Sequence, residues 1–371
     1  MTRDVGQRTE LQIKGHNVIE RLANLAVIEA QLDALRPNGR AEVPFRIVGN
    51  WLVRNHILWD CLRRSLSRKP PGSMSVVHNF LTNRSFWALR HLLFASRIHA
   101  RTSADAVCFK SNLRAFYLNQ QPLTLWICTK REMFGQLRGA MEFRGRLIPS
   151  PVLRAPRVIA QDTTAAESPY ILEELIIGRP FGRTEDWALL VDKVLPSLFG
   201  LYDQQYTRHH PAAEIYNAEW IYQGVAKSVS NLPNNKKWMP RPEQLLEAAE
   251  QCLRLSDETI PLCTGHGDLN RTNLVVVADG GIVILDWGWS RELPIAEEVI
   301  KLIPVLAEQH PQLLHRLATE LWQRTEDPIA MPPKRQVLLA TLKKIATNLD
   351  RSWKVSRWLK LTSNLINGPD W

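Results

Sequence analysis

Residues 263–288 constrain the fold more than any other stretch. Two apolar runs rich in β-branched residues, 274–278 and 282–285, flank Asp279, Gly280 and Gly281. An Asp-Gly step between two such runs is a hairpin signal. A hairpin returns the chain to its starting end, so Asn273, just before the first run, and Asp286, just after the second, come to one end. Asp268 lies upstream in a polar loop that can face them. Magnesium takes hard oxygen ligands, commonly a carboxylate or two completed by phosphates and water. Phosphoryl transfer needs in addition a carboxylate that orients the attacking hydroxyl and receives its proton. One Asp as base, with one Asn and one Asp for the metal, meets both needs.

The string His266-Gly267-Asp268-Leu269-Asn270-Arg271-Thr272-Asn273, followed after the hairpin by Ile284-Leu285-Asp286-Trp287-Gly288, resembles the aminoglycoside phosphotransferase and choline kinase-like family, small-molecule relatives of protein kinases. The resemblance implies a two-lobed protein kinase-like α+β fold, with a small antiparallel-sheet N-lobe and a helical C-lobe. It further implies Asp268 as catalytic base, His266 as organiser of the loop, Asn273 and Asp286 as Mg2+ ligands, and ATP or GTP as phosphoryl donor. The acceptor would be a hydroxyl of a small molecule, a sugar or a glycolipid. Gly267 stands where protein kinases carry Arg, and no APE-like element follows Asp286, which argues against a protein kinase.

Upstream, 170–178 resembles the strand, hinge and glycine that join the lobes in this family. Backbone groups of Glu174, Leu175 and Ile176 would then read the purine edge. Residues 131–138 resemble the helix whose Glu pairs with a phosphate-binding Lys, with Glu132 at the position of that Glu. Lys130 follows an apolar strand and is the candidate for that Lys. It stands only two residues before Glu132, so Glu142 as the partner of Lys130, or Lys110 as the phosphate-binding cation, are the alternatives. No glycine-rich loop is present. That departure motivates a second reading, a catalytically weak pseudokinase or nucleotide-binding regulatory module. A Gly-x-Pro-x-x-Asp stretch usually steadies the catalytic loop of the family; here Pro294 is followed by Glu297 at the place of that Asp.

Charge is unevenly placed. Residues 1–150 hold 23 Lys/Arg against 10 Asp/Glu, whereas the remainder holds 24 against 27. Residues 43–101 contain ten basic residues and one acid, Asp60, interleaved with Trp and Phe. Three readings are open: a helical extension with arginines outward, a segment peripheral to the anionic inner face of a membrane, or a nucleic-acid grip. No nucleic-acid-binding signature occurs, so no nucleic-acid partner is expected. No apolar run is long enough to span a bilayer and the N-terminus has no apolar signal core, which points to the cytoplasm. The five scattered cysteines never form a CxxC pair and read as reduced, mostly buried thiols.

Apolar periodicity predicts an amphipathic helix at 17–36, helices at 46–69 and 75–100, strands within 105–129, a helix at 131–145 and a strand at 169–176. Beyond 185 helices are expected at 185–205, 212–230, 241–255, 294–308, 311–324 and 334–362, with 272–286 the one β-rich interruption. The expected organisation is a basic helical N-terminal extension (1–100), a kinase-like N-lobe (101–176) and a helical C-lobe carrying the catalytic loop (177–371). Trp289, Trp353 and Trp358 are candidates for stacking on a sugar ring.

Overall fold

The computed structural model describes residues 12–13, 16–32, 35, 42–48, 50–66, 97–109, 112–118, 122–128, 131–146, 152–162, 168–204, 208–230, 242–254, 258–287, 291–323, 331–347, 358 and 361–362. The chain divides into two compact units. The first comprises residues 1–138, 154–180 and 275–285, the second residues 139–153, 181–274 and 286–371.

An eight-stranded antiparallel sheet forms the first unit. Its spatial order is Val158–Asp162, Tyr170–Glu174, Leu123–Ile127, Leu113–Tyr117, Ala106–Phe109, Trp51–Arg54, Val43–Val48, Arg97–Ala100. The helix Val18–Gln31 lays Val18, Leu22, Leu25 and Ile28 into one core with Phe45, Leu52, Val107, Phe109, Leu125 and Ile127. A second core collects the alternate residues Val48, Trp51, Val53, Ala106, Cys108 and Phe116 together with Ile57 and Leu58 of the helix Asn55–Leu66. Because both faces are covered, the central strands read as unbroken apolar runs rather than as alternation.

The helix at 18–31 and the strands within 105–129 and 169–176 match expectation. Residues 46–48, 51–54 and 97–100 do not: they lie in strands paired into this same sheet. Val48 pairs with Trp51, so these two strands are adjacent and antiparallel. Three of the arginines that suggested a solvated helix face, Arg46, Arg54 and Arg97, lie on these strands: Arg46 bonds Asn55, and Arg54 lies over the Phe45 ring and bonds the Thr102 carbonyl. The segment expected as helix at 75–96 lies outside the described residues.

The second unit is mainly helical. Tyr216, Ile221, Val225, Leu245, Ala249, Leu339, Leu342 and Ile345 form its core, drawn largely from the helices Ala218–Ser230, Pro242–Cys252 and Pro333–Thr347. Trp358 packs against this core. It also holds a three-stranded antiparallel sheet that the apolar pattern did not disclose, Arg208–Pro211, Thr259–Gly265 and Arg291–Pro294, with the middle strand central. Two of these strands contain proline and charge, so neither period nor propensity marks them. The expected hairpin, Leu274–Val276 and Ile282–Ile284, is present, and all of it beyond Leu274 belongs to the first unit. Its turn is pinned by Gly280 in left-handed backbone (φ 83°) and by Arg154 donating to Asp279 at 2.6 Å, which holds the Asp279 carboxyl below its usual range.

Among the described residues no helix is long and apolar enough to cross a membrane. Cys108, Cys128, Cys252 and Cys263 are buried; burial pushes the Cys252 thiol up to about 12.

Candidate active site

The central strand Thr259–Gly265 delivers the chain into the loop at 266–273. Gly265 ends the strand beneath a carboxylate: a Cβ there would lie 2.9 Å from Glu298 Oε2 and 2.9 Å from Leu293 Cδ2. Only a residue without a side chain leaves room for that approach. Gly267 follows in left-handed backbone (φ 78°), which glycine adopts without steric cost. The resulting turn directs two successive amides at one acceptor. His266 N–H donates to Glu298 Oε1 at 3.0 Å, and Gly267 N–H donates to Glu298 Oε2 at 2.9 Å. Glu298 is 1% exposed, so these bonds are shielded from water.

This corrects the expectation for the loop-steadying acid. Glu298 takes that position, and Glu297 turns instead to Lys343, whose Nζ donates to it at 2.7 Å. The helix Ile295–Val299 sets the difference, since adjacent residues point about 100° apart around a helix. Lys343 in turn lies over the Tyr216 ring, 5.1 Å from its centroid.

His266 is fully buried and meets the Trp287 ring edge-on, with centroids 4.7 Å apart. Its Nδ1 accepts from the Asp268 amide at 3.2 Å, an arrangement that requires Nδ1 to be unprotonated and leaves the ring proton on Nε2. The loop then closes through its own amides. Asn270 Nδ2 donates to the Asp268 carbonyl at 2.8 Å while its Oδ1 caps the short 3-10 turn Arg271–Asn273 by accepting from Thr272 N–H at 2.9 Å. Asn273 Nδ2 donates to the same carbonyl at 2.9 Å and to Asp268 Oδ2 at 3.3 Å.

That orientation bears on a metal. With its amide nitrogen committed to Asp268, Asn273 turns its amide oxygen, a hard donor, to the opposite side. Asp286, a second hard oxygen donor, is the one non-glycine residue among those described with positive φ (64°). Such backbone is costly for a side-chain-bearing residue and clusters at functional positions. Two oxygen donors suit magnesium completed by phosphates and water, and no group of three or more His, Cys, Asp or Glu side chains that could hold a metal occurs among the described residues.

Asp268 is about a quarter exposed, and its Oδ1 pairs with the Lys301 ammonium. Lys301 lies in the turn after the helix Ile295–Val299, three residues beyond Glu298. Nearby, burial lowers the Lys344 ammonium, reinforced by Lys301 and opposed by Glu297. Neither Glu298 nor Lys301 was singled out in the sequence. The Glu297-Glu298 doublet was the available signal, with either acid able to serve until the helix phase is known.

The nucleotide-side residues are placed less completely. Lys130 and Lys110 lie outside the described residues, as do Gly288, Trp289 and Trp353. Glu132 falls in a 3-10 turn, Arg131–Met133, ahead of the helix Phe134–Arg146, on which Glu142 is exposed. Glu174 closes the strand Tyr170–Glu174; its N–H donates to the Arg157 carbonyl and its carboxylate accepts from the Arg157 N–H, both at 2.9 Å. Leu175 N–H donates to the Pro122 carbonyl at 2.9 Å and its side chain is buried with Val48, Trp51 and Phe116. Ile176 is partly exposed.

An antiparallel-sheet unit, a helical unit and this loop define a protein kinase-like fold. Residues 113–330 match the phosphotransferase enzyme family (APH), over half of the chain. The chain therefore belongs to that family and is a small-molecule kinase. Among solved structures it is similar to an aminoglycoside phosphotransferase from Alicyclobacillus acidocaldarius (12% identity, 71% of this chain and 90% of that one, TM-score 0.43). It is also similar to the macrolide 2'-phosphotransferase MphH from Brachybacterium faecium (14% identity, 70% of this chain and 89% of that one, TM-score 0.40). A third likeness is to the choline kinase LicA from Streptococcus pneumoniae (12%, 69% and 90%, TM-score 0.41). No curated protein matches the sequence.

Proposed function

We propose that the protein transfers the γ-phosphoryl group of ATP or GTP to a hydroxyl of a small molecule, sugar or glycolipid, with Asp268 as the base. The observation that carries this reading is the braced loop. Glu298 fixes the backbone ahead of Asp268, and Asn273 bonds both its carbonyl and its carboxylate. A carboxylate held in this way can accept a proton from an acceptor hydroxyl without searching for its position.

In the proposed reaction the acceptor oxygen forms a bond to the γ-phosphorus as its proton passes to Asp268. The bond between that phosphorus and the β–γ bridging oxygen breaks, and the nucleoside diphosphate leaves. Asn273, through its amide oxygen, and Asp286 would hold Mg2+, which when bound offsets the charge of the β- and γ-phosphates. His266 would act as organiser of the loop, through its bond to the Asp268 amide. On the nucleotide side, the N–H groups of Glu174 and Leu175 are spent within their own unit, which makes Ile176 the preferred purine-edge donor of the three. Lys130, with Glu132, remains our assignment for the phosphate clamp.

The test compares the wild type with Asp268→Asn for ADP release from MgATP across a panel of alcohol acceptors, with nucleotide affinity measured alongside. Turnover should fall by about a thousandfold or more, the upper reach of what general-base catalysis contributes, with nucleotide affinity retained. Full turnover by the variant would refute the assignment. Nucleotide binding by the wild type without turnover on any acceptor would favour the regulatory-module reading instead.

A further inference from the structure

We propose that Lys301 is a positioning residue for the transfer, clamping one oxygen of Asp268 so that the other takes the proton. The inference rests on the reading of Asp268 as base.

The two carboxylate oxygens have different surroundings. Oδ1 pairs with the Lys301 ammonium, while Oδ2 lies 3.3 Å from Asn273 Nδ2, a long and weak contact. A proton arriving from an acceptor hydroxyl therefore goes to Oδ2, because Oδ1 is already facing a cation. The ammonium also holds the plane of the carboxylate, which would otherwise turn about its Cβ–Cγ bond, a soft torsion.

The origin of Lys301 strengthens the case. It follows Glu298 by three residues, the spacing that stacks side chains on one face of a helical turn. Backbone bonds from Leu302 N–H to the Val299 carbonyl keep that turn wound. One turn thus supplies both constraints on the loop: an anion that gathers the His266 and Gly267 amides, and a cation that sets the Asp268 side chain. Lys301 is about one-third exposed, so it can be replaced without opening a cavity. Its surroundings also keep it from straying. Lys344 repels it, and the Asp268 carboxylate attracts it.

The experiment measures steady-state ADP release from MgATP, with water and with the alcohol panel as acceptors, for wild type, Lys301→Met, Lys301→Arg and Asp268→Asn. Lys301→Met should lower kcat about 10- to 100-fold, the worth of one charge-assisted hydrogen bond, and leave the KM for MgATP within a few-fold. Lys301→Arg should recover most of the loss, since it restores the charge. In the Asp268→Asn background Lys301→Met should add nothing. A second readout needs no turnover: protein labelled with 13C at the Asp side-chain carboxyl, in which the Asp268 resonance is assigned by its absence from Asp268→Asn. Lys301→Met should shift that resonance, and Lys301→Arg should largely restore it.

Unchanged kcat and an unshifted resonance in Lys301→Met, with Asp268→Asn inactive, would overturn this proposal alone. Equal losses in the Met and Arg variants would also overturn it. Turnover by Asp268→Asn at the wild-type rate would remove the reading on which it stands.

Discussion

Glu29 and Glu298 are both almost completely buried carboxylates, one in each unit, and each collects hydrogen bonds from a distant part of the chain. Their donors differ in kind. Glu29 accepts from the hydroxyls of Thr102 and Tyr117, each at 2.7 Å, and from the hydroxyl and amide of Ser103 at 3.2 and 3.3 Å. Glu298 accepts from two consecutive backbone amides. A hydroxyl rotates to suit its partner, and it can accept as well as donate. A backbone amide can only donate, and only along a direction fixed by the chain. Glu29 therefore joins elements that already have their own shape, the helix Val18–Gln31 and the sheet. Glu298 determines the shape of a loop that has little else to determine it.

That contrast can be broken at four points, beginning with the largest effect. Glu298→Ala should strand the His266 and Gly267 amides, the first buried and the second partly so, costing about 2–4 kcal/mol of stability. It should also lower turnover about a hundredfold through loss of loop geometry. Chemical denaturation and ADP release would measure the two losses. If stability fell while turnover held, the loop would not depend on its brace. Gly265→Ala forces a methyl group against the same carboxylate, so about 1–3 kcal/mol should be lost, as for other overpacked sites. Turnover should drop with it, because the displaced group is Glu298.

On the other side of the comparison, Tyr117→Phe removes one donor to Glu29 and should cost about 1 kcal/mol with no change in kcat. A change in kcat would show that the first unit's carboxylate reaches the chemistry. The smallest effect concerns pH. Burial raises the Glu29 carboxyl above its ordinary value of 4.5, outweighing its hydrogen bonds. The folded chain then holds a proton that the unfolded chain releases, so the contribution of Glu29 is full below that value and declines as pH rises through the raised one. Glu29→Gln should flatten this decline in a series of denaturation curves taken from pH 4 upward. An unaltered slope would place its origin elsewhere.

The same contrast accounts for what could be read from the sequence. Asp268, Asn273 and Asp286 announce themselves by spacing around a hairpin whose Asp-Gly turn is a local signal. The structure has that hairpin within a residue or two of the expected ends. Glu298 and Lys301 give no such signal, because their meaning depends on helix phase and on contact with a loop thirty residues earlier. In the first unit, the Arg and Trp density of residues 43–101 masked three strands, Val43–Val48, Trp51–Arg54 and Arg97–Ala100, whose evidence was Gly-Asn and a few β-branched and aromatic residues. Both faces of that sheet are covered, so the alternation that usually separates strand from helix is missing. The small sheet around Thr259–Gly265 was hidden for a different reason: its partners are four residues long and held by pairing, not by composition.

Asp286 carries a consequence of its own. In left-handed backbone most side chains are disfavoured and glycine is at ease. A chain selected for firmness alone would drift toward glycine at this position, and Asp286→Gly should fold at least as well as the parent. That an aspartate stands there makes position 286 a place where robustness and purpose pull apart. Thermal screening of random variants would reward exactly the change that, on our assignment, empties the metal's second oxygen donor.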